Sequence, residues 1–296
     1  MEKDSLTKRY MWVTTLNVIV TFAEFVGGLL SGSLALLSDA VHNLSDVGAI
    51  VISFIAHLIS KRSRNRKKTF GYERIEILAA FTNGIILIVI SLYLFFEAIG
   101  RFWHPEPVHG TLMLSVAIIG LIANVVSMLT LHKRSEHNLN AKSTMLHMMS
   151  DALSSLVVVV GGVVIMLFKI NWLDPVLTIL VSIFVLHEAL EITEKAANIL
   201  MESNPNIDLD QVNEIVLGFP EIKHIHHVHV WRYSDDIIML DAHLNVDPNL
   251  TAGEFEQLCH QISKKLKVLG INHINLQAEC ERGRDEKMII EQKYGK

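Results

Sequence analysis

The sequence predicts an α-helical membrane domain of six transmembrane helices followed by a small cytosolic α+β domain. Three observations predict it. Half of the 296 residues are apolar and the mean hydropathy is positive, which is high for a soluble chain. The apolar residues gather into six stretches of about 20, the length that crosses a bilayer as a helix. From Pro205 onward these stretches stop, and alternating and helical apolar periods take their place. The expected domains are therefore 1–203 and 204–296.

The spans run from Tyr10 to Leu30, Leu34 to Ile59, Ile75 to Gly100, Leu112 to Leu131, Ser143 to Phe168 and Leu173 to Leu190. Ser31-Gly32-Ser33 separates the first two, a turn signal that makes them a helical hairpin. Pro105 and Pro107 break the chain after the third, and Asp174-Pro175 reads as an N-cap and first-turn proline opening the sixth. No cleavable signal peptide is expected, because the first apolar segment is too long and lacks a small-residue cleavage site.

Orientation follows from the basic residues. The connection after the second span reads KRSRNRKK, and that after the fourth contains Lys133, Arg134 and Lys142. Both are expected to be cytosolic, with both termini on the same side. Such runs anchor a membrane protein at the lipid surface, and no nucleic-acid partner is expected. Cys259 and Cys280 are too few for a disulfide framework and fit a reducing compartment.

Beyond Pro205, a helical segment from Leu209 to Leu217 precedes HIHHVHVWRY, a Ser234-Asp235-Asp236 turn, IIMLDAHLNV, an amphipathic helix from Ala252 to Leu269, and INHINLQAEC. The order is α-β-β-α-β. Phe255, Leu258, Ile262, Leu266 and Leu269 mark the buried face of the second helix.

The chemistry lies in a repeat. HNLSD at 42–46 recurs as HMMSD at 147–151, each inside an apolar span. An ionisable group at membrane depth costs at least about 2.5–3.5 kcal/mol, so it needs a partner or a function. His42 and Asp46 share one helix face, as do His147 and Asp151. Two imidazoles and two carboxylates form a tetrahedral N2O2 set that Zn²⁺ accepts at about 2.0–2.2 Å, with the two Asp charges cancelling that of the ion. Mg²⁺ and Ca²⁺ prefer all-oxygen shells, whereas Cd²⁺ is less firmly excluded. The second and fifth helices hold equivalent places in successive three-helix halves. An odd number of helices inverts one half relative to the other, as in alternating-access transporters. The span ends place Asp151 nearer the cytosol than Asp46, which requires a tilt or a boundary wrong by about a turn.

The chain resembles the cation diffusion facilitator family, and its bacterial zinc-efflux members most closely. SDAVHNLSD (38–46), FGYERIEILAAFTNG (70–84), HPEPV (104–108), HMMSD (147–151), DP (174–175) and HHVHVW (226–231) carry the resemblance. It implies a homodimer in a bacterial inner membrane whose protomers each export Zn²⁺ in exchange for protons. It also implies that His42, Asp46, His147 and Asp151 form the transport site and that the soluble part is a dimerising, metal-binding domain with a metallochaperone-like fold. His229, His243 and Glu279 match positions where relatives bind regulatory zinc. Glu256 stands where some relatives place a histidine, with Cys259 and His260 nearby as substitutes. Asn65 and Lys68 replace the metal ligands that some relatives carry between the second and third helices, and no metal is expected there. Arg74 and Glu202 match a charged interlock that is a candidate hinge.

Proton coupling also follows from the ligands. Zinc needs neutral imidazole and ionised carboxylate, so metal and protons compete for the same groups. Histidine as a residue type titrates near neutrality, where a change of environment alters its charge, which makes His42 and His147 the candidate proton-coupling groups. The remaining in-span polar residues carry two readings each. Asn17 and Glu24 either line an access path or make interhelical hydrogen bonds. Asp39 is placed to orient the hairpin or the ligands, and His57 reads as an interfacial residue. A haem protein would not need an Asp four residues after each His. A metalloenzyme would need an open coordination position, which four protein ligands fill, so no enzymatic reaction is expected. Metal sensing fits the soluble domain but leaves six helices with their own closed site unexplained.

Overall fold

The computed structural model describes the backbone of residues 2–289 apart from 61, 105, 136–138, 235 and 236; side chains are described from Trp12 onward, apart from those positions and 50, 53, 54, 57 and 131–148. Six long helices come first: α1 (Glu2–Ser31), α2 (Leu34–Ser60), α3 (Ile75–Trp103), α4 (Gly110–Ser135), α5 (Leu139–Phe168) and α6 (Leu173–Leu200). There follow α7 (Leu209–Leu217), β1 (Ile222–Ser234), β2 (Ile237–Val246), α8 (Ala252–Leu266) and β3 (Ile271–Glu279). Among the described residues, α1, α3, α4, α5 and α6 are long and apolar enough to cross a membrane. Their outer faces carry exposed Ile19, Phe22, Leu29, Val89, Phe96, Ile119 and Leu180, a surface that suits lipid and not water. The chain is an integral membrane protein.

The residues form two compact units, Met1–Ile59 with Ala79–Glu194 and Ser60–Leu78 with Lys195–Lys296. The connection between α2 and α3 thus groups with the second unit, although it lies inside the first expected domain.

In the first unit α1 turns into α2 at Gly32, whose φ of 72° lies in the left-handed region that glycine enters without strain. The two helices then lie close, for a Cβ on Gly28 would come within 3.0 Å of the Leu37 backbone nitrogen. Ala35, Leu36, Met113, Ala117, Val158, Ile165 and Leu177 pack as the core between α2, α4, α5 and α6. The start of α2 is capped from far along the chain. Asp174 accepts from the Leu34 N–H at 2.9 Å, from the Ala35 N–H at 3.3 Å and from the Ser33 hydroxyl. Its carboxylate therefore satisfies the open end of α2 instead of its own helix, which begins at Leu173.

In the second unit the sheet order is β1-β2-β3. β1 and β2 are antiparallel, β2 and β3 parallel. Val212 and Val216 of α7 and Leu258, Ile262 and Leu266 of α8 cover one face, against Ile225, Leu240 and Leu244. Thr251 and Glu254 close a reciprocal capping box at the start of α8. Asp208 caps α7 through the Asp210 and Gln211 N–H groups.

Candidate metal centres

Helical spacing builds the first centre. His42 and Asp46 are one turn apart on α2, and His42 Nε2 lies 3.9 Å from Asp46 Oδ2 and 3.4 Å from Asp151 Oδ1 of α5. One ligand atom from each of the three falls within 4.8 Å of the others. His147, one turn before Asp151 in α5, has its side chain outside the described residues. The depth mismatch is a boundary effect. Asp151 lies 12 residues after Leu139, the start of α5, and Asp46 lies 14 before Ser60, the end of α2. Two residues of helix are only about 3 Å.

Asp39, one turn before His42, holds the two ligand-bearing helices together. It accepts from the Ser154 hydroxyl at 2.7 Å and the Ser155 hydroxyl at 2.9 Å. Ser154 also lies 2.9 Å from the Asp151 carbonyl oxygen. Asn124 donates to Ser155 at 3.1 Å, Ser127 to Asn17 at 3.3 Å and Asn43 to Glu24 at 3.0 Å. Asn17 and Glu24 thus make interhelical hydrogen bonds. His57 has its side chain outside the described residues.

One neighbour of this centre is absent from the sequence reading. Glu188 of α6 places Oε2 3.6 Å from His42 Nε2. The signal was a carboxylate inside an apolar span. It fell two residues before the expected span end at Leu190, where a charge is unremarkable, but α6 continues to Leu200.

The second centre lies on the sheet. His226 and His243 stand opposite each other in the β1/β2 register. Glu279 of β3 joins them, with Oε2 3.2 Å from His226 Nε2 and Oε1 3.2 Å from His243 Nδ1. These are the three groups that come within ligand distance here. His226 is buried, with Nδ1 lacking a hydrogen-bond partner among the described residues. Gly283, at φ 71°, leaves the space its ring fills, since any Cβ there would strike it. Two imidazoles and a carboxylate supply three of the four ligands of a zinc site.

The structure brings His226, not His229, to His243 and Glu279. The register shifts between His226 and His229, and His227 takes φ 52°. A bulge of this kind ends strict alternation. His229 is exposed and pairs with His227, Nε2 to Nε2 at 3.4 Å. Glu256, Cys259 and His260 on α8 do not enter the group. Burial pushes the Cys259 thiol up from its ordinary pKa.

Arg74 and Glu202 meet at 3.0 Å, with the guanidinium 5.4 Å from the Tyr233 ring centre. Tyr233 donates to the Phe70 carbonyl at 2.6 Å. The Asn65 side chain accepts from the Lys67 and Lys68 N–H groups, closing a turn.

Residues 11–201 match the profile described as the cation efflux transmembrane domain, and residues 204–280 that of the cation efflux protein cytoplasmic domain. The chain is 39% identical over 270 residues to a cadmium, cobalt and zinc/H(+)-K(+) antiporter of Bacillus subtilis, covering 90% of this chain and 87% of the relative. It is 37% identical over 284 residues to the zinc transporter ZitB of Pectobacterium atrosepticum, covering 95% and 88%. It is 34% identical over 264 residues to the metal cation efflux system protein CzcD of Cupriavidus metallidurans, covering 88% and 83%.

Proposed function

The chain belongs to the cation efflux family, and from that premise we propose that it exports Zn²⁺ from the cytosol in exchange for protons, by alternating access. The observation that carries this is the meeting of His42, Asp46 and Asp151, from two helices of a membrane domain, within ligand distance. His147 completes the set of four. The names of the Bacillus and Pectobacterium relatives support zinc as the cargo. Cd²⁺, Co²⁺ and Fe²⁺ are the nearest competitors for such ligands.

Zinc binds neutral imidazole and ionised carboxylate. The ion loads from the cytosol, and rocking opens the centre to the other side. Protonation of His42 or His147 there releases it. In this reading α2 is also a span, and the basic connections support an orientation with both termini on the cytosolic side of a bacterial inner membrane. Residues 204–296 form a cytosolic, metallochaperone-like domain that pairs two copies into a homodimer. Zn²⁺ at His226, His243 and Glu279 regulates it, and Arg74 with Glu202 forms the hinge to the membrane domain, 1–203. The activity is transport and not an enzymatic reaction.

Zinc flux into proteoliposomes tests the reading, with the parent, Asp46→Ala and Asp151→Ala compared under an imposed pH gradient. Both variants should lose uptake, and parental uptake should follow the gradient. Parental rates in both variants would remove the transport site, and uptake indifferent to the gradient would remove proton exchange.

A further inference from the structure

The α2/α5 centre has a neighbour on a third helix. On α6, Phe184 and Glu188 are one turn apart and face the same imidazole. The Phe184 ring meets His42 edge-on at 6.3 Å between centroids, and Glu188 Oε2 is 3.6 Å from His42 Nε2. Packing sets this approach. Val181, Val185 and Ala189 of α6 form a cluster with Val41 and Leu87, and the hydroxyls of Ser38 and Ser182 are 3.4 Å apart. Glu188 is therefore held beside His42 by the seam between α2 and α6.

Exposure divides the cluster in two. The side chains of His42 and Asp151 are 4% and 7% exposed, whereas those of Asp46 and Glu188 are 35% and 29% exposed. The second pair forms the more open side of the cluster, the side an arriving ion meets first. Glu188 adds a third carboxylate beside the two aspartates, and negative charge at the edge of the centre draws a divalent ion toward it. It also offers an oxygen to replace a departing water before the nitrogen ligand is reached.

We propose that Glu188 is a capture ligand of the transport centre. It binds the divalent ion at the open side of the centre and passes it to Asp46, His42 and Asp151 by exchange of carboxylate oxygens. This rests on the reading of the α2/α5 cluster as the transport site.

The test is initial-rate zinc flux in proteoliposomes for the parent, Glu188→Gln, Glu188→Asp and Asp151→Ala, at low and high ionic strength. Glu188→Gln should raise the zinc KM about tenfold, and the maximal rate should change by less than the KM does. Its KM should also depend less steeply on salt than that of the parent, because the charge that salt screens is gone. Glu188→Asp keeps the charge and should fall between the two. It also decides the matter if the Gln variant fails to insert. A structural role would lower yield and maximal rate and leave the salt dependence alone. A parental KM in Glu188→Gln, with Asp151→Ala inactive, overturns the capture role alone. Parental flux in Asp151→Ala overturns the transport-site reading beneath it.

Discussion

Asp174→Ala removes a cap from a helix to which the residue does not belong. The buried carboxylate takes the Leu34 N–H at 2.9 Å, the Ala35 N–H at 3.3 Å and the Ser33 hydroxyl. Loss of an N-cap costs about 0.5–2 kcal/mol, and each buried donor left without an acceptor about 1–3 kcal/mol. These costs overlap, because the lost cap and the stranded donors are the same bonds, so the total is about 3–4 kcal/mol. At about 2–4 °C per kcal/mol, the melting temperature should fall by about 6–16 °C. Asp174→Asn keeps one acceptor oxygen in place and should lose about half as much. Thermal unfolding in detergent, followed by tryptophan fluorescence, measures both. His42 lies eight residues after Leu34, so fraying of the first turn of α2 should also lower zinc flux. An Ala variant that melts with the parent, or an Asn variant less stable than Ala, would refute the cap.

In an Asp151→Ala background, which silences the membrane centre, His226→Ala should weaken zinc binding about 10–100-fold by chelator competition; His229→Ala should leave it near the parental value, and the reverse ranking would show that the bulge is misread. Gly120→Ala puts a Cβ onto the Glu24 carboxylate, so unfolding should come about 1–3 kcal/mol sooner, and adding Glu24→Ala should recover part of that loss. Arg74→Ala removes a part-exposed ion pair and should cost no more than about 1 kcal/mol in the same melt. Under thiol labelling at mildly alkaline pH, exposed Cys280 should react before half-buried Cys259. Burial raises the Cys259 pKa, which lowers its thiolate fraction at a given pH, so its labelling should speed up as the pH rises.

How much was legible depended on whether the information was local. The His42/Asp46 pair is local, since four residues of helix decide which side chains share a face. The small domain was legible to its element order, because alternation and helical period survive in Ile237–Val246 and Ala252–Leu266. Asp174 was misassigned because its partners are about 140 residues away, and in sequence an Asp-Pro looks like the opening of its own helix. Glu188 was missed because hydropathy marks where lipid contact ends, not where the helix ends. His229 was expected because it matches the position where relatives bind zinc, whereas the register shift between His226 and His229 sets His226 opposite His243. Nothing local announces that irregularity.

The grip of Ser154 and Ser155 on Asp39 limits how the protein can move. Sliding α2 along α5 would break two short bonds to a buried carboxylate, so these segments are lashed together as one strut. In the proposed transport cycle, movement between these two helices is then costlier than movement of their other neighbours around them. Cargo would ride in a cradle of constant shape from one side of the bilayer to the other, and discrimination between metals would be decided once, at loading.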